Sequence, residues 1–222
     1  MNTFNLIMFD LDGTLVETAP EICDAINDTL RDFELSEVTL EQVKNWIGHG
    51  TRELLIAALA SSMNTNEDVV RSSDSFALME AEFDQYYQSR CGTRSHLFPQ
   101  VRETLTALRS RGVKLAVITN KEGRFTQTVL NVHNLTPLFD VVVSGDSLPT
   151  KKPDPAGIES CLTLFDMPRN RALFVGDSSI DVATARNADV AVWALPYGYN
   201  RGQPIEASAP DRVIATCESL LN

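Results

Sequence analysis

The sequence predicts a doubly wound α/β fold with a mainly parallel sheet and a helical insert after the first strand. Short apolar, β-branched segments alternate with helical patterns, as expected when parallel strands are joined by crossover helices. Between the first such segment and the second lies a long stretch without a strand-like run. The predicted strands are residues 6–9, 114–119, 140–145, 171–176 and 190–195.

Proline and glycine mark the predicted helix boundaries. Pro99 precedes a helical pattern that ends at Gly112, and Pro155 opens another, because proline favours the first turn of a helix and glycine the residue after its end. In the insert, Thr18 and Glu21 have the spacing of a capping box at a helix start. Further helices are predicted over residues 40–47, 51–62 and 69–88.

We therefore expect two domains. Residues 1–15 and 92–222 would form an α/β catalytic core, and residues 16–91 would form a helical cap. A chain of 222 residues is long enough for a core domain that carries a smaller inserted one.

The composition argues against several classes of protein. A hydrophobic fraction of 43% and a charged fraction of 22% indicate a globular protein that does not associate with a membrane. The net charge of −11 argues against nucleic-acid binding. Four scattered cysteines and three distant histidines favour neither a disulfide framework nor structural zinc. The first apolar run is too short for a signal peptide, so we expect a cytoplasmic protein.

Polar residues follow three of the predicted strands. They are DLDGT at 10–14, TNK at 119–121 and GDSSID at 176–181, and a fourth set, KKPDP at 151–155, precedes a helix. Because the carboxyl ends of parallel strands meet at one edge of a sheet, we expect the four sets to form a single site.

Asp10 and Asp12 point the same way on an extended segment, so two carboxylates would face one ligand. Their like charges separate the two protonation equilibria, so one can stay ionised while the other carries a proton. Attack by a carboxylate would give an aspartyl-phosphate, and the second aspartate would act as general acid and base. An EF-hand is disfavoured because Leu15 stands where that loop needs glycine. The alternative that the Asp10 carboxylate only caps a turn remains open.

Phosphoryl transfer spreads negative charge over the phosphoryl oxygens, so cations must lie nearby. Lys152 and a Mg²⁺ ion can supply this charge, and the carboxylates of Asp10, Asp12 and Asp177 suit Mg²⁺ better than any histidine or cysteine set. Neutral hydrogen-bond donors for a phosphate are Thr14, Thr119 and Asn120.

Asp181 lies four residues after Asp177, so it would face the same site if a helix begins near Ser178. We expect Asp181 and Ser178 to support the metal ligands from behind. Direct ligation by Asp181 is the alternative.

These four motifs resemble, in order and across essentially the whole chain, those of the haloacid dehalogenase-like hydrolase superfamily. The resemblance implies a Rossmann-like core and a cap that closes over small substrates. It implies Asp10 as nucleophile and Asp12 as general acid and base. It further implies Mg²⁺ held by Asp10, the Asp12 backbone carbonyl and Asp177, with phosphate held by Thr119 and Lys152.

A narrower resemblance is to the phosphoglycolate phosphatase subfamily, which implies hydrolysis of 2-phosphoglycolate, a small phosphorylated metabolite, to glycolate and phosphate. It rests on residues 117–121, 151–157, 174–188 and 196–211. The cap loop 48–52 lies where related enzymes contact substrate, so the resemblance implies substrate binding by His49, Gly50 and Arg52, with His49 or Arg52 at the substrate carboxylate. The alternative is a helix-start loop with Arg52 in solvent.

Several other functions are compatible with parts of the pattern. A sugar-phosphate phosphatase or phosphomutase would keep the four motifs and differ mainly in the cap. A dehalogenase would not need Asp12, and a phosphonate hydrolase would need a cap lysine, where only Lys44 is available. A phospho-ligand binding module without turnover is the alternative from another class, and Asp10 and Asp12 argue against it. We expect a monomer or a small homo-oligomer.

Overall fold

The computed structural model describes residues 4–222 and has an α/β fold. Six strands form one parallel sheet in the order β5-β4-β1-β6-β7-β8, and the short strands β2 and β3 pair antiparallel. The described strands are β1 (Leu6–Phe9), β2 (Val16–Glu17), β3 (His96–Leu97), β4 (Lys114–Ile118), β5 (Val141–Val143), β6 (Ala172–Gly176), β7 (Ala191–Ala194) and β8 (Arg212–Val213).

The α-helices alternate with the sheet strands except in the insert, where five of them follow one another. The described helices are α1 (Ala19–Asp32), α2 (Leu40–Trp46), α3 (Thr51–Ser62), α4 (Glu67–Arg71), α5 (Phe76–Arg90), α6 (Val101–Ser110), α7 (Gly123–Val132), α8 (Ala156–Leu164) and α9 (Ser179–Asn187). The predicted doubly wound sheet with a helical insert after its first strand is therefore confirmed.

Strand β1 lies at the centre of the sheet and is buried on both faces. Ile7 and Phe9 pack into the apolar cluster on one face, and Leu6 and Met8 pack into the cluster on the other. Each such side chain contributes about 2 kcal/mol through its removal from water. This burial fixes the position of the residue that follows, Asp10.

The insert packs against the core rather than standing apart from it. Helices α1 and α5 contact each other along their lengths, and their buried Ile26, Phe83 and Tyr87 belong to the same apolar cluster as Phe9 of the sheet. The β2–β3 pair lies at the two points where the chain passes between the sheet and the insert. The insert therefore lies over one end of the sheet.

The prediction of one helix over residues 69–88 is wrong, because α4 ends at Arg71 and α5 begins at Phe76. The hydroxyl of Ser72 hydrogen-bonds to the Asp68 carbonyl oxygen, and the hydroxyls of Ser73 and Ser75 bond to each other. Such local side-chain bonds compete with the helical backbone pattern and end the helix.

The predicted capping box of Thr18 and Glu21 is also wrong. The Thr18 side chain makes no cap bond and instead donates to Asp12 Oδ1 at 2.6 Å. Glu21 Oε2 accepts from backbone N–H groups of the chain segment that leaves the insert. These donors belong to Gly92, Arg94 and Ser95.

Among the described residues, no helix combines the length and the apolar character needed to cross a bilayer. All four cysteines are free and buried.

We predict that Met8→Ala lowers the free energy of unfolding by about 2–5 kcal/mol, because it leaves a cavity beside the central strand. Met63→Ala is the matched control, since Met63 is 42% exposed whereas Met8 is fully buried, and it should change stability by about 0.5 kcal/mol or less. Urea unfolding of both variants measures the difference. Equal effects would contradict the placement of Met8 in the core.

Candidate active site

The site lies at the carboxyl edge of three neighbouring strands. Asp10 follows β1, Thr119 follows β4 and Asp177 follows β6, and these strands are adjacent in the sheet. Lys152 reaches the same place from the loop between β5 and α8. All four residues are buried, so the structure brings together members of all four sequence motifs.

Lys152 bridges two carboxylates. Its Nζ lies 2.6 Å from Asp10 Oδ1 and 2.7 Å from Asp181 Oδ1. Burial alone would lower the pKa of Lys152, but the charges of Asp10 and Asp181 raise it well above its ordinary value. The Asn120 side chain holds the backbone of Lys152, because Oδ1 accepts from its N–H at 2.8 Å and Nδ2 donates to its carbonyl oxygen at 3.0 Å.

Two hydrogen-bond donors hold the Asp177 carboxylate, and two glycines leave the space that it occupies. Its Oδ1 accepts from Thr14 Oγ1, and its Oδ2 accepts from the Tyr199 backbone N–H, both at 2.5 Å. A Cβ atom at Gly13 or Gly198 would lie 2.5 or 2.1 Å from Asp177 Oδ2. Both positions therefore need glycine if the carboxylate is to stay in place.

Asp181 and Ser178 form a capping box at the start of α9. Asp181 Oδ2 accepts from the Ser178 hydroxyl at 2.6 Å and from the backbone N–H groups of Asp177 and Ser178, while Oδ1 is held by Lys152. Both oxygens thus have donors. Whether Asp181 and Ser178 support the metal ligands or Asp181 binds the ion itself stays a prediction, because Asp181 also lies in the acidic cluster.

Three buried carboxylates form an acidic cluster. One oxygen each from Asp10, Asp177 and Asp181 lies within 4.8 Å of the others. Burial raises the pKa of Asp10 to about 7, with Lys152 opposing and Asp181 reinforcing the shift. Burial, followed by the charges of Asp181 and Asp10, raises the pKa of Asp177 well above its usual range. The cluster therefore lacks positive charge.

A divalent cation fits this cluster. With Asp12 included, four acidic side chains face two lysines, Lys121 and Lys152, which gives a formal excess of two negative charges. The nearby donors are oxygens, the ligand type that Mg²⁺ prefers. The residues present can therefore hold Mg²⁺.

Asp12 is bound on the side of the insert. Its carboxylate accepts from Lys121 Nζ at 2.8 and 3.0 Å and from the Thr18 hydroxyl. Lys121 is the functional candidate that sequence reasoning missed. The sequence signal was only that a lysine follows Thr119 and Asn120 at a strand end. Its burial, which is unusual for lysine, is visible in the structure alone.

A cavity separates the sheet edge from the insert. From the sheet side it is lined by Asp10, Asp12, Thr119, Asn120 and Lys121. Its lining residues from the insert are Ile22, Ile47, Gly48, Gly50, Thr51 and Leu54. The carboxylates of Asp10 and Asp12 therefore face a small cavity between the sheet edge and the insert.

The predicted phosphate donors are partly engaged with the protein itself. The Thr14 hydroxyl is directed to Asp177, and the Asn120 amide bonds Lys152 and, at 2.9 Å, the Gly48 carbonyl oxygen. Thr119 Oγ1 accepts from the Lys121 N–H at 3.2 Å, so its hydrogen is available to a ligand. Phosphate binding by these residues stays a prediction.

Of the three predicted cap residues, only Gly50 lines the cavity. Both oxygens of Glu80 accept from Arg52 Nη1 at 2.6 Å, and the guanidinium lies over the Phe76 ring. His49 lines a separate pocket together with Glu53, Glu67 and Arg201. The structure therefore places His49 and Arg52 outside the cavity lined by the carboxylates, because other partners hold Arg52 and His49 lines a different pocket.

We predict that Gly198→Ala lowers Mg²⁺ affinity by about tenfold or more, because the added methyl group displaces the Asp177 carboxylate. Gly112→Ala is the control, because a Cβ atom there meets nothing within 4 Å. Since the φ of Gly112 is +77°, alanine is disfavoured there, and this variant measures the effect of backbone strain without a displaced side chain. Isothermal titration with Mg²⁺ measures both variants. Unchanged affinity in Gly198→Ala would show that Asp177 does not hold the ion.

We also predict that the titration of Asp10 lowers the free energy of unfolding of the metal-free protein as the pH rises from about 4 to about 7. Its pKa is about 7 in the folded state and 3.8 ordinarily, so the folded state holds a proton that the unfolded chain has lost. Between about pH 5.5 and about pH 7.5, the wild-type protein should lose on the order of 1–2 kcal/mol more of its free energy of unfolding than Asp10→Asn does. Urea unfolding with EDTA measures it, and parallel pH profiles would contradict the assignment.

Comparison with known proteins identifies the family. A family model described as haloacid dehalogenase-like hydrolase matches residues 7–195. A phosphoglycolate phosphatase of Vibrio vulnificus is 39% identical over 218 residues, which cover 98% of this chain and 94% of the relative. Phosphoglycolate phosphatase 1 of Pseudomonas aeruginosa is 39% identical over 97% of this chain and 78% of its own length.

A solved structure leads to the same family. The crystal structure of a predicted phosphoglycolate phosphatase from Haemophilus somnus superimposes with a TM-score of 0.90 at 36% identity, covering 98% of this chain and 96% of that one. Sequence motifs, site geometry and relatives agree over nearly the full length. The chain therefore belongs to the haloacid dehalogenase-like hydrolases.

Proposed function

We propose that this protein is a Mg²⁺-dependent phosphatase that hydrolyses 2-phosphoglycolate to glycolate and phosphate, with Asp10 carrying the phosphoryl group in between. The observation that supports this is the buried cluster in which Lys152 bridges Asp10 and Asp181 beside Asp177. Relatives named phosphoglycolate phosphatase align with nearly the whole chain, which favours this substrate among phosphomonoesters.

The proposed metal ligands are Asp10, Asp177 and the backbone carbonyl of Asp12. They fit Mg²⁺ because they offer oxygen donors beside an excess of buried negative charge. When bound, the ion would offset that charge and stabilise the charge on the transferring phosphoryl group.

Asp10 has one oxygen available for attack. Lys152 holds Oδ1, and no described residue donates a hydrogen bond to Oδ2. The charge of Lys152 favours the ionised carboxylate and fixes its direction. Oδ2 would attack phosphorus, the bond from phosphorus to the ester oxygen would break, and the leaving oxygen would take a proton from Asp12.

In the second step Asp12 would act as a general base instead of a general acid. Water attacks the phosphorus of the aspartyl-phosphate, its proton passes to Asp12, and the bond from phosphorus to Asp10 Oδ2 breaks. Phosphate leaves and the Asp10 carboxylate is restored. The bonds from Thr18 and Lys121 hold Asp12 beside the cavity for both steps.

The size of the cavity favours a small substrate. It has about 30 Å³ of internal space beneath the insert. We infer that the insert moves aside to admit even a two-carbon ester and then closes to exclude water. A nucleic-acid or protein substrate would not fit beneath it.

The free cysteines agree with a cytoplasmic location.

We predict that Asp10→Asn lowers kcat for 2-phosphoglycolate by about a thousandfold or more, because it removes the nucleophile. Asp74→Asn is the matched control on the exposed surface of the insert and should keep full activity. Phosphate release with Mg²⁺, and again with EDTA, measures both variants. Full activity of Asp10→Asn would refute the proposed nucleophile.

The substrate is tested separately by kcat/KM for 2-phosphoglycolate, hexose phosphates, pyrophosphate and nucleotides. We expect the highest value for 2-phosphoglycolate. A higher value for a hexose phosphate would favour a sugar-phosphate phosphatase, and a rearranged product would favour a phosphomutase. Binding without turnover of any ester would favour the binding module.

A further inference from the structure

Lys121 is the one positively charged residue among the described residues that line the cavity. Its side chain is 2% exposed, although lysine side chains almost always reach solvent. Neither the nucleophilic attack nor the metal ligands described above require a second buried lysine. Holding Asp12 uses only part of the binding capacity of its ammonium group.

The two buried lysines differ in how many anionic partners they have. Lys152 is shared between the carboxylates of Asp10 and Asp181. Lys121 pairs with the single carboxylate of Asp12, and its ammonium lies 5.0 Å from the centre of the Tyr87 ring. A lysine ammonium has three N–H donors, so Lys121 can bind one more anionic oxygen.

The position of Lys121 is fixed before any ligand binds. Its carbonyl oxygen accepts from the Gly145 N–H at 2.8 Å and from the Thr126 hydroxyl at 3.2 Å. The Tyr87 ring beneath its ammonium packs against Phe125. A charged group held this rigidly at a cavity wall suits recognition of a substrate group.

The other cations near the insert are committed elsewhere. Arg52 pairs with Glu80 outside the cavity. Lys151 is 38% exposed and pairs with Glu122. The lining from the insert is apolar or neutral. An anionic group enclosed there would be strongly destabilised unless it met a positive charge.

The substrate chemistry supplies such a group. In 2-phosphoglycolate an ester oxygen and one methylene carbon separate phosphorus from the carboxylate carbon. Asp10, Asp12 and Lys121 line the same cavity, and Lys121 Nζ lies 2.8 Å from the Asp12 carboxylate. A substrate whose phosphoryl group lies at Asp10 therefore brings its carboxylate close to the lysine bound to Asp12.

We propose that Lys121 determines substrate specificity by binding the carboxylate of the substrate, which selects phosphorylated hydroxy acids over neutral phosphomonoesters. The proposal rests on the proposed phosphatase function and adds the residue that recognises the acid. It replaces the earlier expectation that His49 or Arg52 has this role.

The test compares 2-phosphoglycolate with ethyl phosphate, which has a methyl group in place of the carboxylate. In the wild-type protein, kcat/KM should be about 100-fold higher for 2-phosphoglycolate. Lys121→Met should lower this ratio to near one, and Lys121→Gln should lower it similarly. Lys151→Met is the matched control and should leave the ratio unchanged.

The ratio separates specificity from a merely structural effect. If Lys121 only positioned Asp12, both esters would lose activity equally and the wild-type ratio would persist, which would overturn the proposal. A wild-type ratio near one would overturn it without any variant. Failure to hydrolyse either ester would instead refute the phosphatase function itself.

Discussion

Buried negative charge at the ends of adjacent strands is the constraint on which the site depends. The backbone places Asp10 and Asp177 side by side because β1 and β6 are paired in the centre of the sheet. Removing two carboxylates from water is costly, and that cost appears as the raised pKa of both groups. Lys152 offsets part of the cost and leaves a deficit of positive charge that a divalent cation would fill.

Much of the local sequence serves to keep those carboxylates in place. Glycine at residues 13 and 198 leaves space for Asp177, and the capping box of Ser178 and Asp181 directs a carboxylate oxygen at Lys152. The apolar faces of β1 make the strand itself immobile. Rigid support of this kind is what phosphoryl transfer requires, because catalysis then depends on position and charge rather than on movement of the ligands.

The sequence was sufficient for features that depend on local order. Apolar runs and their flanking polar residues predicted the parallel sheet and the gathering of Asp10, Lys152 and Asp177 at one edge. The sequence was insufficient where contacts between residues far apart in the chain determine which side chains pair. The pairing of Lys121 with Asp12 joins residues that are far apart in the chain, so no local spacing indicates it. Arg52 was predicted to face the substrate, but its partners on the neighbouring helix hold it elsewhere.

The central claim is that Asp10 forms the bond to the phosphoryl group. The most direct measurement is acid quenching of the wild-type protein during turnover of 2-phosphoglycolate labelled in its phosphate, followed by reduction with borohydride and peptide mapping. Carboxyl phosphates are reduced to an alcohol, so we expect a reduced side chain at residue 10 that depends on both substrate and Mg²⁺. Reduction at another residue, or protein that carries no labelled phosphate before reduction although turnover is active, would contradict it.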